Sequence, residues 1–300
     1  MVFFHEDINS WNDWSRVFQS IPAFSCLVEN ILKKENLPIS ELTHLTPGTN
    51  AVFRVGDYVI KIYAPEESGI NQSSDLLTEL FAIKRAMNLG VTTPKLIANG
   101  FIEDKYLFYY IITEYVNATA FSDVVSLLSY DEKVKFSTRL RRITDKLNTS
   151  CERFNDIDIV FDVERSRRWD KYTKSFRDER LSYIKICNYD NKVFAHGDLT
   201  GDNVLITSQE AICIIDFADS VLAPVFYEHA HVAVELFDLD KGLLSGYFPN
   251  YSINELTDIC FNGLLIHDFG GDIVTHHIGE TVEFTSLADL RNRIKIILSR

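Results

Sequence analysis

Methionine and proline are scarce in this 300-residue chain, at two and seven residues, and its five cysteines are odd in number and widely scattered. With no Cys-x-x-Cys pair there is no zinc ribbon and no dithiol redox couple, and a reducing cytoplasm is the expected compartment. The first residues lack the basic and apolar regions of a secretory leader. The longest apolar and aromatic run, Tyr106 to Val116, contains Glu114 and falls far short of a membrane span, so neither export nor a membrane partner is expected. Internal repeats, low-complexity tracts and long Pro/Gly/Ser linkers are missing too, which excludes solenoids and strings of tethered modules. Positive charge is in deficit. Against 43 Asp and Glu stand 30 Lys and Arg, a formal net charge of -13 that repels a phosphate backbone and argues against nucleic acid while favouring a cationic ligand.

What is present is a globular composition, 46% hydrophobic and 12% aromatic, with enough length for about two domains around a large core. After a helix expected at about 25–36, the stretches around the Gly56-Asp57 turn read as an antiparallel hairpin. From Asp75 to Leu89 apolar residues recur at helical spacing, with Ser74 as the expected N-cap and Gly90 as the stop. Two β-rich runs follow, around residues 96–101 and 106–116, and the pattern turns mainly helical from Phe121. The polar segment 152–190 reads as a helix with a solvated basic face, including Arg165, to which no chemistry is assigned.

The informative stretch begins with His196-Gly-Asp198 and runs through Asn203 into two short strands, Val204 to Thr207 and Ala211 to Ile215, followed by Asp216-Phe217. An antiparallel hairpin returns its two ends to within one strand spacing, so Asn203 and Asp216 become neighbours. Asp198 lies five residues before Asn203 on the loop entering the hairpin. A carboxylate, an amide oxygen and a second carboxylate then converge, hard ligands that suit Mg2+ carrying phosphates. Phosphoryl transfer uses this order: an Asp, an Asn five residues on, and a metal-binding Asp-Phe pair.

With these residues the chain resembles the protein-kinase-like superfamily, and more narrowly its aminoglycoside phosphotransferase and choline kinase group, the antibiotic kinases. Gly197 gives the group's His-Gly-Asp loop where protein kinases carry His-Arg-Asp, and Ile215-Asp216-Phe217-Ala218-Asp219 matches a second signature. The likeness spans roughly residues 43 to 230. It implies an α+β, two-lobed protein-kinase-like fold: an antiparallel-sheet nucleotide lobe over 1–114 and a mainly helical catalytic and acceptor-binding lobe over 115–300. By the same resemblance Asp198 is the catalytic residue that takes or orients the acceptor hydroxyl, and Asn203 and Asp216 hold Mg2+. Lys61, on an apolar alternating strand, binds the phosphates of ATP or GTP and is braced by Glu79, the only Glu of its helix. Glu114 and Val116 form the hinge that meets the base. The phosphate cover is the turn from Pro47 to Phe53, with contacts at Gly48, Thr49 and Asn50. Past Asp219, Glu228 stands where the family segment usually ends in an Asp that anchors the catalytic loop.

Competing patterns are weaker. Asp268-Phe269-Gly270 mimics the metal-binding signature but lies 65 residues after Asn203 and cannot close the same hairpin. His229, His231, His267, His276 and His277 lack metal-ligand spacing and read as ordinary polar histidines. Between Pro224 and Leu290 eleven acids face one base, Lys241, so an acidic acceptor region is expected, with Asp219, Glu235 and Asp268 as candidate contacts for a cationic acceptor. The expected reaction is Mg2+-dependent transfer of a γ-phosphoryl group to a hydroxyl of a small cationic molecule, an aminoglycoside first, with antibiotic resistance as the family consequence. Choline, homoserine, a methylthio-sugar or a macrolide are the alternative acceptors, and a nucleotide-binding pseudokinase scaffold is the alternative of another class. No Ala-Pro-Glu segment follows Asp216, which argues against a protein kinase. Nothing in the sequence encodes an oligomeric state.

Overall fold

A computed structural model describes residues 2–46, 48–70, 73–160 and 166–300, so Pro47 and Arg165 lie outside the described residues. The N-terminal half is built on a five-stranded antiparallel sheet, in the order β1 (Leu42–His44), β2 (Ala51–Val55), β3 (Tyr58–Ile62), β5 (Leu107–Glu114) and β4 (Leu96–Glu103). β2 alternates buried and half-buried residues, and Gly56, at φ 60, supplies the left-handed turn that brings Val55 opposite Tyr58.

Strand alternation sorts the side chains onto two faces. Phe53, Ile60, Ile62, Phe108, Tyr110 and Ile112 bury against the helices Trp11–Val17 and Ile21–Lys34, with Phe24 packed on Phe53 and Phe108. The second of these helices starts earlier than the apolar period implies. Ser20 accepts from the Ala23 amide and Pro22 fits the first turn, two local signals that precede the periodic residues. Tyr63 and Ile111 point to the opposite face, where they meet Leu76 of the helix Ser73–Asn88. That helix runs through the expected Ser74 cap and ends before Gly90, whose φ of 65 stops it.

The same helix contributes Ala82, Ile83 and Ala86 to the larger core of the C-terminal half. There the helices Tyr130–Leu147 and Lys241–Tyr247 pack together, and Val225–His231 lies against Ile253–Ile266. Three short strands, β6 (Ala118–Ala120), β8 (Val204–Thr207) and β9 (Ile212–Ile214), form a small antiparallel sheet, and β7 (Lys192–Ala195) pairs with β10 (Val221–Pro224). The protein is α+β, with an antiparallel-sheet N-terminal region and a helical C-terminal region. No described helix is long and apolar enough to cross a membrane.

The basic segment differs from its sequence reading. Its longest helix among the described residues is Lys174–Ile186, and Trp169, Tyr172 and Phe176 are core residues, with Phe176 stacked on both of the others. Arg180 is buried rather than solvated: its Nε donates to the Leu265 carbonyl and its guanidinium lies 4.6 Å from the Trp169 ring. Aromatic residues interleaved with the bases carry this segment inward, which a charge pattern alone does not register.

Candidate active site

A cleft of about 560 Å3 runs between the sheet and the helical region. Lys61 and Glu79 line one side, the chain from Glu114 to Val116 its inner edge, and Asp198, Asn203 and Asp216 the other. The β8–β9 hairpin closes as its spacing requires: Val204 pairs with Ile214, and the Ile215 amide donates to the Asn203 carbonyl. Asn203 and Asp216 are thereby held at the same end.

The loop preceding the hairpin is fixed by buried polar groups. Glu228 accepts the His196 amide at 3.1 Å and the Gly197 amide at 3.0 Å. A Glu thus stands in the anchoring contact that the family pattern gives to Asp. The His196 ring donates from Nε2 to the Ile215 carbonyl at 3.0 Å and accepts the Asp198 amide at Nδ1, so it works as a neutral spacer, and burial pushes its pKa down to about 4. Gly197 has φ 85, and a Cβ there would sit 2.2 Å from the Asp219 carbonyl oxygen. No other residue fits, which is the physical content of His-Gly-Asp in place of His-Arg-Asp.

Asn203 spends its amide hydrogens on the Asp198 carbonyl (2.8 Å) and on Asp198 Oδ2 (2.9 Å). Its Oδ1 remains available as a ligand. Across the cleft Lys61 Nζ donates to Glu79 Oε2 at 2.8 Å and to Asp216 Oδ1 at 2.7 Å. Burial opposes the Lys61 charge, but Asp216 and Glu79 outweigh it and hold the ammonium protonated. Asp216 sits in the left-handed region at φ 58, 42% exposed on the cleft wall; burial works against its charge and Lys61 more than offsets this, holding the carboxyl below its ordinary value. No group of three or more His, Cys, Asp or Glu able to hold a metal occurs among the described residues. One carboxylate, one amide oxygen and substrate phosphates are a donor set for Mg2+ rather than for zinc.

On the far side of Asp198 the charges are alike. Burial, then Asp219 and Asp216, push the Asp198 pKa up to about 8, with Glu235 adding to the same effect and the Asn203 hydrogen bond opposing it. Glu235 is already engaged: His277 bonds to it at 3.1 Å and to Asp238 at 2.8 Å. Asp268 lies 3.7 Å from the Arg168 Nε. Of the three expected acceptor contacts, Asp219 and Glu235 are electrostatic neighbours of Asp198, and Glu235 and Asp268 both have cationic partners within the protein.

At the expected hinge, the Tyr115 amide donates to the Asp57 carbonyl at 2.8 Å, and the Val116 amide takes part in no backbone hydrogen bond among the described residues. Gly48 borders the cleft, whereas Thr49 and Asn50 do not line it. The Thr49 carbonyl instead accepts the Trp14 indole at 2.9 Å, and Asn50 is buried. Sequence reasoning overlooked Trp14 and Tyr63, whose hydroxyl donates to Glu79, and read His231 as an ordinary polar histidine. His231 is buried, its ring stacking on His267 and lying 4.0 Å from Asp198 Oδ1. The spacing Glu228-x-x-His231, one helical turn, was the available signal.

A sequence profile described as "Phosphotransferase enzyme family" matches residues 45–256. No curated protein sequence matches the chain. Among solved structures, choline kinase LicA from Streptococcus pneumoniae is 16% identical with a TM-score of 0.57, over 91% of this chain and 99% of that one. A thermostable mutant of aminoglycoside phosphotransferase APH(4)-Ia in its apo form is 15% identical with a TM-score of 0.58, over 90% and 98%. Aminoglycoside-3'-phosphotransferase of type VIII is 17% identical with a TM-score of 0.56, over 80% and 98%. At such identities these likenesses show the kinase-like fold.

Proposed function

The chain belongs to the phosphotransferase enzyme family, and on that premise we propose that it transfers the γ-phosphoryl group of ATP or GTP to a hydroxyl of a small cationic molecule, with an aminoglycoside as the first candidate. The observation that carries this reading is the placement of Asp198. Its carboxylate is tied to Asn203 on the nucleotide side and surrounded on the other by Asp219 and Glu235, which favour a cationic acceptor. Residues 1–114 act as the nucleotide lobe and 115–300 as the catalytic and acceptor lobe. A reducing, cytoplasmic setting accords with the five free cysteines.

In this reading Lys61 pairs with the α- and β-phosphates while Glu79 keeps it in place. Asn203 and Asp216 would hold Mg2+, which supplies charge neutralisation for the phosphates. The hinge from Glu114 to Val116 meets the base, and of the expected phosphate cover Gly48 borders the phosphates. Asp198 accepts the hydroxyl proton as the acceptor oxygen attacks, and positioning with charge neutralisation supplies most of the rate. Nucleotide use is supported by structural neighbours seen with AMP and with ADP and hygromycin B. Choline is the second candidate, because the choline kinase neighbour matches as well as the aminoglycoside enzymes do.

The test is steady-state release of ADP or GDP by the full chain with Mg2+, across aminoglycosides, choline, homoserine, a methylthio-sugar and a macrolide. Acceleration by an aminoglycoside alone supports the first candidate, and acceleration by choline alone the second. Nucleotide binding without acceleration by any of these acceptors removes them as substrates and leaves another metabolite or a scaffold role.

A further inference from the structure

Lys61 and Tyr63 are two residues apart along one extended run, so their side chains leave the sheet on the same face, towards the helix Ser73–Asn88. Beyond the end of β3 the Tyr63 amide still donates to the Tyr109 carbonyl at 3.0 Å, which keeps that alternation in force. Both side chains reach the same atom. Glu79 Oε2 accepts Lys61 Nζ and also the Tyr63 hydroxyl, and the Lys61 ammonium lies 5.4 Å from the centre of the Tyr63 ring. Tyr63 and Glu79 are both buried.

Lys61 therefore has two acidic partners in unlike settings. Glu79 is enclosed and receives a second donor. Asp216 is 42% exposed on the cleft wall. An ionised carboxylate in a buried position is tolerated only while its hydrogen bonds are kept. If Lys61 turns part of its charge to a nucleotide, Glu79 needs another donor to remain ionised and aimed, and Tyr63 is the neutral group in place to provide it.

Resting on the reading of Lys61 and Glu79 as nucleotide-site residues, we propose that Tyr63 is a positioning residue. Its hydroxyl fixes Glu79 as the permanent partner of Lys61 and leaves Asp216 as the exchangeable one. Tyr63 touches no substrate in this scheme; it acts through Glu79 on Lys61. No bond is made or broken.

The probe is the Mg2+ complex of AMP-PNP, a non-hydrolysable ATP analogue, bound to the full chain and measured by calorimetry. Tyr63→Phe keeps the ring and removes only the donor, and is expected to weaken binding about five- to tenfold, the scale of one ordinary net hydrogen bond, because the effect reaches the nucleotide only through Lys61. In a Glu79→Gln background the same change is expected to cost less than about twofold, because coupled residues are non-additive when one acts through the other. Lys61→Met serves as a second background should Glu79→Gln fail to fold, with the same expectation. In ADP release from MgATP, Tyr63→Phe raises the nucleotide KM by the same factor and leaves kcat within about threefold.

Binding by Tyr63→Phe within twofold of the unaltered protein overturns the proposal. So does an equal loss in both backgrounds, which marks a general packing role. If Glu79→Gln and Lys61→Met both bind the probe as the unaltered protein does, the nucleotide-site reading itself fails and takes the proposal with it.

Discussion

The two sides of the cleft handle charge in opposite ways. On the side proposed for the nucleotide, opposite charges touch: Lys61 lies 2.8 Å from Glu79 and 2.7 Å from Asp216. On the side proposed for the acceptor, like charges are kept near one another: burial first and then Asp219 push the Asp198 carboxyl up to about 8, with Asp216 of the other side and Glu235 adding to the same effect. A paired arrangement holds a polyanion's partner ready to be shared. An arrangement of crowded carboxylates binds protons, and by the same field a cationic ligand, more tightly than an isolated carboxylate does. Affinity for nucleotide and reactivity towards the acceptor should thus be separable by mutation.

The sharpest break between the two sides is Asp198→Asn. Turnover measured as ADP or GDP release should fall by about 10^2 to 10^4, the range for loss of a general base, while MgATP binding stays within about threefold. A tenfold change in nucleotide affinity would mean that the two sides are not independent. Next in size is Gly197→Ala. The added Cβ meets the Asp219 carbonyl oxygen at a left-handed φ, so the loop must shift; a loss of at least about 2 kcal/mol in unfolding free energy and a large fall in turnover are expected. An unchanged melting temperature would show that the loop is less constrained than its geometry requires.

A third prediction concerns pH and the buried groups behind the acceptor side. Burial pushes Glu228 up to about 7, so the folded state holds its proton more tightly than the unfolded state does. Its contribution to stability is present below about pH 4.5 and lost as pH rises through 7. Burial pushes His196, His229 and His231 the other way, to about 4, 3 and 4, so their contribution is present above about pH 6.5 and lost as pH falls. Asp198, whose carboxyl is also pushed up, acts with Glu228 against the three histidines, so the melting temperature should fall only modestly between pH 6.5 and 4.5. Glu228→Gln, which cannot titrate, should make that fall steeper; a shallower slope would reverse the assignment of Glu228.

The smallest expected effect is at His277. Burial opposes its charge, but its bonds to Glu235 and Asp238 prevail and raise its pKa, so it places a partial cation among the acceptor-side acids. His277→Gln frees both carboxylates from a charged partner. It should lower the KM of a cationic acceptor by about threefold or less, the scale of a partly exposed ion pair, without moving nucleotide affinity. A rise in KM would show that His277 itself helps to hold the acceptor.

How much of this was legible in the sequence depended on distance along the chain. The α+β order, the hairpin at Gly56 and the β8–β9 hairpin followed from turn chemistry and alternation acting over a few residues. The pairing of Lys61 with Glu79 was implied by the family resemblance, and the structure places the two side chains in contact. The start of the helix at Ile21, the inward turn of Trp169, Tyr172 and Phe176, and the engagement of Thr49 by Trp14 did not. Each depends on which surface packs against which, and one-dimensional periodicity does not specify the partner.

By itself the sequence determined the local geometry of the nucleotide side: the juxtaposition of Asn203 and Asp216, Asp198 five residues upstream, and the glycine that only a left-handed loop position demands. These are set by short-range backbone rules that hold whatever surrounds them. Only the tertiary structure decided the side proposed for the acceptor, where Asp219, Glu235 and His231 come near Asp198 and His277 bonds to Glu235. It also decided that a Tyr hydroxyl shares Glu79 with Lys61. Burial and electrostatic fields are summed over neighbours remote in sequence, so the same carboxyl acquires its character only when the chain has folded around it.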